Sequence, residues 1–132
     1  LDDIAVGLPP ILRALKLQKR AARVGFDWPS IDQVINKLHE ETEELQAEFN
    51  SLDNSQDRIV EEVGDILFVA INLARQAGVD PETALMLCNA KFERRFRYIE
   101  EQSKNIQKNI NEMSLEEMEV YWRDAKKTEV KV

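Results

Sequence analysis

Residues 59–74 read IVEEVGDILFVAINLA, and this apolar stretch with three embedded acids decides the fold. Its length and the absence of strand-like alternation favour a helix, which we predict over 57–76. The helix is expected to end before Gly78, because glycine readily takes the left-handed conformation that follows many helix ends. So much of its surface is apolar that one domain is not expected to cover it, which favours a homo-oligomer.

The flanking sequence carries start and stop signals for four more helices. Pro9 and Pro10 suit a first helical turn, where a missing N–H costs little. The five predicted helices span 10–23, 31–50, 57–76, 81–103 and 115–127. Connections this short favour antiparallel neighbours, so the predicted class is an all-α antiparallel helical bundle. We expect one domain over 1–132 in which residues 1–8 are linker-like, and we expect the chain to be a fragment of a longer protein.

Three of the helix starts have recognisable caps. Ser30 and Ser114 are followed three residues later by Gln33 and Glu117, which is the spacing of a capping box. The segment Asp80-Pro81-Glu82 places a cap, a first-turn proline and a favourable acid in succession. These signals fix the predicted starts of the second, fifth and fourth helices.

Composition narrows the class of partners and the compartment. The formal net charge of −7 argues against nucleic-acid binding, which requires many basic residues facing phosphates. The single cysteine, Cys88, cannot form an intrachain disulfide, and neither a signal peptide nor a membrane-length apolar run is present. We therefore predict a cytoplasmic protein that binds neither nucleic acid nor membrane.

The second predicted helix carries four glutamates in the segment EETEE, residues 40–44. At 100° per residue, Glu41 and Glu44 lie in one sector bordering the apolar face, and we expect both to face inward. On the same projection Glu40 and Glu43 point farther toward solvent. An acid-rich segment can also be only a solvated face, so this helix alone does not define a site.

The third predicted helix supplies a second pair of acids. Glu62 and Asp65 share one stripe beside the apolar face, where isolated carboxylates would protonate or recruit a cation. Two acids spaced i,i+3 on each of two helices offer the oxygen ligands that Mg²⁺ prefers, with Mn²⁺ as a substitute.

A di-iron carboxylate bundle needs Glu-x-x-His pairs, and the only histidine, His39, has no such spacing. The open alternative is a non-catalytic helical dimerisation domain, whose acids form intersubunit salt bridges to the basic segment 91–95.

The order Glu40-Glu41-x-x-Glu44 followed by Glu62-x-x-Asp65 resembles the EExxE…ExxD signature of MazG-type all-α nucleoside triphosphate pyrophosphohydrolases. The likeness extends through QKRAARVGFDW, GDILFVAINLAR and KFERRFRYIE at residues 18–28, 64–75 and 91–100. The chain is similar to the C-terminal catalytic domain of a two-domain MazG.

The resemblance implies a reaction, a cofactor and an assembly. The implied reaction is Mg²⁺-dependent hydrolysis of ribo- and deoxynucleoside triphosphates to the monophosphate and pyrophosphate, carried out by a homodimer. The metal ligands carried over are Glu41, Glu44, Glu62 and Asp65, the same four that helical projection selects. A base-selective dUTPase-like or dCTPase-like enzyme with the same metal signature is the alternative within this class.

The resemblance also implies nucleotide contacts on four of the helices. These fall on Lys37, Leu38, His39, Glu40, Glu41, Arg58, Ile59, Val60, Glu61, Asp65, Lys91, Arg95, Trp122 and Lys126. Glu40 or Glu61, each next to a metal ligand, is expected to act as the catalytic base. Taken alone, residues 91–97 also fit an exposed basic turn with Phe92 and Phe96 in the core, and Trp122 also fits simple packing.

Overall fold

The computed structural model describes residues 1–129, which contain five α-helices and one short 3₁₀ helix but no strand. The elements are α1 (Pro10–Arg23), α2 (Ile31–Asn50), α3 (Gln56–Gln76), α4 (Pro81–Asn105), the 3₁₀ helix (Ile110–Glu112) and α5 (Leu115–Thr128). The predicted all-α class is confirmed, and every predicted helix end lies within two residues of the observed one. None of the described helices is both long and apolar enough to cross a membrane.

The chain separates into two compact units, Leu1–Ala84 and Leu85–Val132. The first unit contains α1, α2 and α3, and α3 packs against both of the others. Residues 51–55 connect α2 to α3, and packing across so short a connection makes this pair antiparallel. The buried apolar residues of these helices are Ala14, Leu15, Val34 and Val69, of which Val34 is wholly buried. The single domain expected over 1–132 stays a prediction.

Serine caps start both helices of the antiparallel pair. Ser30 Oγ accepts the backbone N–H of Gln33 at 3.4 Å, and Ser55 Oγ accepts that of Arg58 at 3.2 Å. Each bond satisfies an N–H group that a helix start leaves without an intrahelical partner. The Ser55 cap explains why α3 begins one residue earlier than predicted.

The first eight residues are non-helical and lie on the first unit. Ile4 is 7% exposed, and Asp3 forms an ion pair with Arg20 of α1 at 2.6 Å. Just after the C-terminal end of α1, Gly25 takes a φ of +88° that L side chains rarely adopt. This turn releases the chain into the loop that precedes α2.

In the second unit, α5 begins at a complete capping box formed by Ser114 and Glu117. Lys108 Nζ lies 2.8 Å from Glu117 Oε1, and this bond holds the pKa of Glu117 below its usual value. The buried apolar residues of this unit include Ile99, Met113 and Ala125. Both partners of the box predicted for α5 are therefore present.

Candidate metal centre and adjoining pocket

Three carboxylates from two helices converge in the first unit. One oxygen from each of Glu41, Glu62 and Asp65 lies within 4.8 Å of the other two. Glu62 and Asp65 are one turn apart on the same face of α3, and the packing of α2 against α3 brings Glu41 to them. We call these three residues the acid cluster, and it could hold a metal ion.

Like charge, together with the burial of Glu41 and the partial burial of Glu62, makes the acid cluster unfavourable without a cation, whereas Asp65 is exposed. Glu41 is 6% exposed, and Oε2 of Glu41 and Oε2 of Glu62 are buried without a hydrogen-bond partner among residues 1–129. Burial raises the pKa of Glu62, and the charges of Glu44, Glu41 and Asp65 raise it further. Oxygen donors that lack partners and repel one another fit a hard divalent cation, which would satisfy them and offset the repulsion.

Lys37 provides the only cation that the described residues place directly on the acid cluster. Its Nζ lies 3.0 Å from Glu41 Oε1 and 3.9 Å from Glu40 Oε2, one helical turn away on α2. The hydrogen bond to Glu41 raises the pKa of Lys37. One ammonium group leaves the second Glu41 oxygen unpartnered, so Lys37 compensates only part of the negative charge.

Glu44, the fourth predicted ligand, lies outside this group of three and is exposed. Glu44 is therefore not buried like Glu41, and the structure does not contradict its predicted direction around α2. Helical projection gives the direction of a side chain around its axis, but not how far the neighbouring helix covers that turn. Glu44 is still close enough for its charge to raise the pKa of Glu62. Its role as a ligand stays a prediction.

Glu48, one turn beyond Glu44 on α2, is an acid that the sequence did not single out as functional. Its side chain is 16% exposed, and its Oε1 lies 3.9 Å from Arg58 at the start of α3. That distance is too long for a hydrogen bond. Glu48 shares the projected sector of Glu41, so its position on the helix was the available signal.

A pocket of about 590 Å³ opens beside the acid cluster within the first unit. Its lining includes Lys37, Glu41 and Asp65 of the predicted site. It also includes two buried amides that sequence reasoning missed, Gln18 of α1 and Asn72 of α3. Gln18 begins the segment QKRAARVGFDW of the family resemblance but was not predicted as a site residue, and the packing of α1 on α3 shows that it lies at this site.

The other predicted residues of the first unit flank the acid cluster in sequence without joining it. Leu38 and Ile59 are half-buried, and the remaining ones, His39, Glu40, Arg58, Val60 and Glu61, are exposed. Exposure leaves these side chains accessible to a ligand, and their contacts with nucleotide stay predictions.

The predicted residues of the second unit form a cluster around Trp122. The Arg95 guanidinium lies 5.3 Å from the centre of the Trp122 ring, within cation–π range, and its Nε donates to Glu129 at 2.8 Å. The Glu129 carboxylate raises the pKa of Arg95. Lys91 and Lys126 are exposed. Arg95 therefore already has a carboxylate partner, which a phosphate would have to replace.

Phe92 and Phe96 do not occupy the core that the structural alternative for residues 91–97 required. They are 57% and 36% exposed, and their rings stack at a centroid distance of 5.9 Å. Phe92 also contacts Trp122, with ring centroids 5.5 Å apart. The alternative that placed both rings in the core is therefore wrong, and Phe92 contacts both Phe96 and Trp122 instead.

Comparison with known proteins identifies the class to which this fold and its acid cluster belong. The model of the MazG nucleotide pyrophosphohydrolase domain matches residues 30–99, which include all of α2 and α3. The chain belongs to this family.

Two relatives define its place in the family. It is 42% identical over 130 residues to the nucleoside triphosphate pyrophosphohydrolase of Escherichia coli, covering 98% of this chain and 49% of that protein. It is 35% identical over 126 residues to the nucleoside triphosphate pyrophosphohydrolase/pyrophosphatase MazG of Thermotoga maritima, covering 96% of this chain and 48% of that protein. The chain thus spans about half the length of the curated relatives that it matches.

Proposed function

We propose that the chain hydrolyses nucleoside triphosphates, both ribo and deoxy, to the nucleoside monophosphate and pyrophosphate in a Mg²⁺-dependent reaction. The observation that carries this proposal is the acid cluster, in which two buried carboxylate oxygens have no hydrogen-bond partner among the described residues. Membership of the MazG family and the names of the two relatives support the same reaction.

The acid cluster would hold the metal, with Glu44 as the predicted fourth ligand. Bound there, Mg²⁺ or its substitute Mn²⁺ would supply positive charge to the phosphates and make water easier to deprotonate. Lys37, already in contact with Glu41, is positioned to neutralise part of the charge of an incoming triphosphate. The protein groups beside the cluster would then hold the phosphates and accept the proton.

In the proposed step, a water oxygen forms a bond to the α-phosphorus as the bond to the α,β-bridging oxygen breaks. The bridging oxygen leaves with the electron pair as part of pyrophosphate. Glu40 or Glu61 accepts the proton of the water. Both are exposed, and Glu40 also lies 3.9 Å from Lys37, so either carboxylate is accessible to water beside the cluster.

The contacts proposed for the second unit rest on the family resemblance. Lys91, Arg95 and Lys126 would add positive charge to the triphosphate, and Trp122 would contact the nucleotide, as the family resemblance implies. Because Arg95 is paired with Glu129, we expect phosphate binding to exchange one anionic partner of Arg95 for another.

Hydrolysis in ¹⁸O-labelled water tests the bond that is broken. The proposal predicts that the label enters the nucleoside monophosphate, and label in pyrophosphate would place the attack elsewhere.

Glu41→Gln and Asp65→Asn test the metal site, and each is expected to lower turnover roughly 100-fold or more. Glu43→Gln, an exposed acid outside the acid cluster, is the matched control and is expected to retain turnover. Wild-type turnover in either cluster variant would contradict the assignment.

A homodimer completes the proposal. Apolar residues of α3 remain exposed in the single chain, with Val60 at 61% and Leu67 at 60%, and a second copy would remove such surface from water. Sedimentation velocity is expected to give twice the mass of one chain, and a monomer at assay concentration would refute this part. A cytoplasmic setting, inferred from the single Cys88, also stays part of the proposal.

A further inference from the structure

The acids of α2 face successive turns of α3, because the two helices are antiparallel. Glu41 meets Glu62 and Asp65 in the acid cluster. Glu48, two turns farther along α2, lies beside Arg58, which is one turn before Glu62 on α3. A basic residue therefore takes the place of an acid where this row of side chains reaches the start of α3.

Arg58 lies at a helix end that does not favour its charge. It is the third residue of α3, and its backbone N–H donates to Ser55 Oγ at 3.2 Å. The start of a helix carries partial positive charge, so a cation in the first turn is destabilised. The Arg58 side chain is 63% exposed, so packing contributes little to its position. The position of the guanidinium therefore depends on anionic partners.

Two carboxylates are within reach of Arg58. Glu62 lies four residues later on α3, which is the spacing at which oppositely charged side chains pair on one helix face. Glu48 approaches from α2, and its Oε1 lies 3.9 Å from Arg58 Nη1. Glu62 Oε2 accepts no hydrogen bond from Arg58 or from any other of residues 1–129. Arg58 is thus directed toward Glu48.

The surroundings of Glu48 make a cationic partner necessary. Its side chain is 16% exposed, and its Oε1 is buried without a hydrogen-bond partner among residues 1–129. A carboxylate oxygen withdrawn from water in this way is costly. At 3.9 Å the guanidinium offsets the charge of Glu48 without donating a hydrogen bond to it. The N–H donors of Arg58 therefore remain available to another anion.

From these contacts we propose that Glu48 is a positioning residue that draws the Arg58 guanidinium away from Glu62. The metal ligand Glu62 then stays unpaired, and Arg58 stays available to a phosphate beside the metal. The proposal rests on the proposed function, because that function requires the metal and the phosphates. Without Glu48, Arg58 would pair with Glu62, and a metal would have to break this pair in order to bind. Glu48 thus acts through Arg58 and contacts neither ligand.

A double-mutant cycle on Mg²⁺ affinity tests this role. Glu48→Gln removes the charge and keeps the shape of the side chain, Arg58→Gln removes the guanidinium, and a third protein carries both changes. Calorimetric titration with Mg²⁺ alone gives the Kd of each protein. Glu48→Gln is expected to raise Kd about 2- to 12-fold, the range for breaking one ion pair. In the Arg58→Gln background it is expected to change Kd by less than about 2-fold, because no guanidinium remains to pair with Glu62.

The cycle separates this role from a direct effect of the Glu48 charge. If Glu48 bound the metal or attracted it through its own charge, Glu48→Gln would raise Kd by the same factor in both backgrounds. That result, or an unchanged Kd in Glu48→Gln, would overturn the proposal. Glu43→Gln, which removes an exposed acid of α2 outside the acid cluster, is the matched control and is expected to keep the wild-type Kd.

Arg58→Gln tests the phosphate side, and it keeps the proposal falsifiable if Glu48→Gln does not fold. With saturating Mg²⁺, its affinity for α,β-methylene-ATP, which cannot release pyrophosphate, is expected to fall roughly 10- to 150-fold. Arg97→Gln, which removes an exposed arginine paired with Glu93, is the control and is expected to bind like the wild type. Undiminished affinity in Arg58→Gln would overturn the proposal.

Turnover of ATP by the wild-type protein is measured separately from these affinities. Hydrolysis without the coupling between Glu48 and Arg58 refutes the positioning role alone. The coupling without hydrolysis refutes the proposed hydrolysis alone.

Discussion

Replacing Glu62 by glutamine is expected to stabilise the metal-free protein and to weaken its response to Mg²⁺. Burial and three neighbouring carboxylates raise the pKa of Glu62, which means that its charged form opposes folding. At pH 7 the neutral amide removes that opposition, so the melting temperature without metal is expected to rise. The same change leaves two carboxylates where three converged, so metal binding loses a ligand.

The size of the metal effect follows from mass action. At a Mg²⁺ concentration 100 times the wild-type Kd, binding stabilises the wild-type protein by about 2.7 kcal/mol. Loss of a ligand is expected to raise Kd at least as much as loss of an outer hydrogen-bonding partner, about 10- to 100-fold. At the same concentration the stabilisation then falls to about 1.4 kcal/mol for a 10-fold change and to about 0.4 kcal/mol for a 100-fold change.

Calorimetric melting of both proteins in chelator and in Mg²⁺ measures these quantities. At about 4 °C per kcal/mol, the wild-type protein is expected to gain roughly 11 °C with metal and the variant no more than roughly 6 °C. Glu43→Gln is the control and is expected to match the wild type in Mg²⁺ response. A variant that melts below the wild type without metal, or that gains as much from Mg²⁺, would refute the reasoning.

Three further predictions concern other parts of the chain. Asp27→Asn is expected to lower the free energy of unfolding by roughly 1–2 kcal/mol at pH 7. Arg75 holds the pKa of Asp27 below 3.8. In urea unfolding, the variant is therefore expected to have a constant deficit in the free energy of unfolding above about pH 5, and this deficit is expected to shrink as the pH falls below 3.8. A deficit that does not depend on pH would contradict the ion pair. Glu40→Gln or Glu61→Gln is expected to lower kcat roughly 10²- to 10⁴-fold while leaving Mg²⁺ affinity unchanged, and full activity in both would exclude these bases. Ser114→Ala is expected to cost about 1 kcal/mol in thermal unfolding, and unchanged stability would show that the cap contributes nothing.

The helices were predictable because their ends depend on neighbouring residues. Pro9 and Pro10 at the start of α1, Gly25 after it and the Ser30 cap each act through the adjacent backbone, and they place helix ends without knowledge of the tertiary fold. The 3₁₀ helix at 110–112 was missed because it is only three residues long, although Asn109 Oδ1 caps it by accepting the backbone N–H of Asn111 at 2.9 Å. It follows Gln107, a non-glycine residue with a φ of +54°, in a conformation that local propensity disfavours.

The candidate site was predictable only in part, because it depends on how the helices pack and not on neighbouring residues alone. The helical spacing correctly predicts that Glu62 and Asp65 share one face of α3. It does not predict the exposure of Glu44, which depends on how far α3 covers α2. Gln18 contacts the backbone of Phe68 across 50 positions of sequence, and no periodic pattern reports such a contact. Its Oε1 is buried without a hydrogen-bond partner among residues 1–129, and this became visible only when the packing of α1 was known.

Product analysis of triphosphate hydrolysis tests the central proposal most directly. The wild-type chain is incubated with ATP and a panel of deoxynucleoside triphosphates, with Mg²⁺ or with chelator, and the products are separated by anion-exchange chromatography. The acid cluster and family membership predict equal amounts of nucleoside monophosphate and pyrophosphate, formed only when the metal is present. Nucleoside diphosphate with phosphate, turnover that persists in chelator, or no turnover on any triphosphate would contradict it.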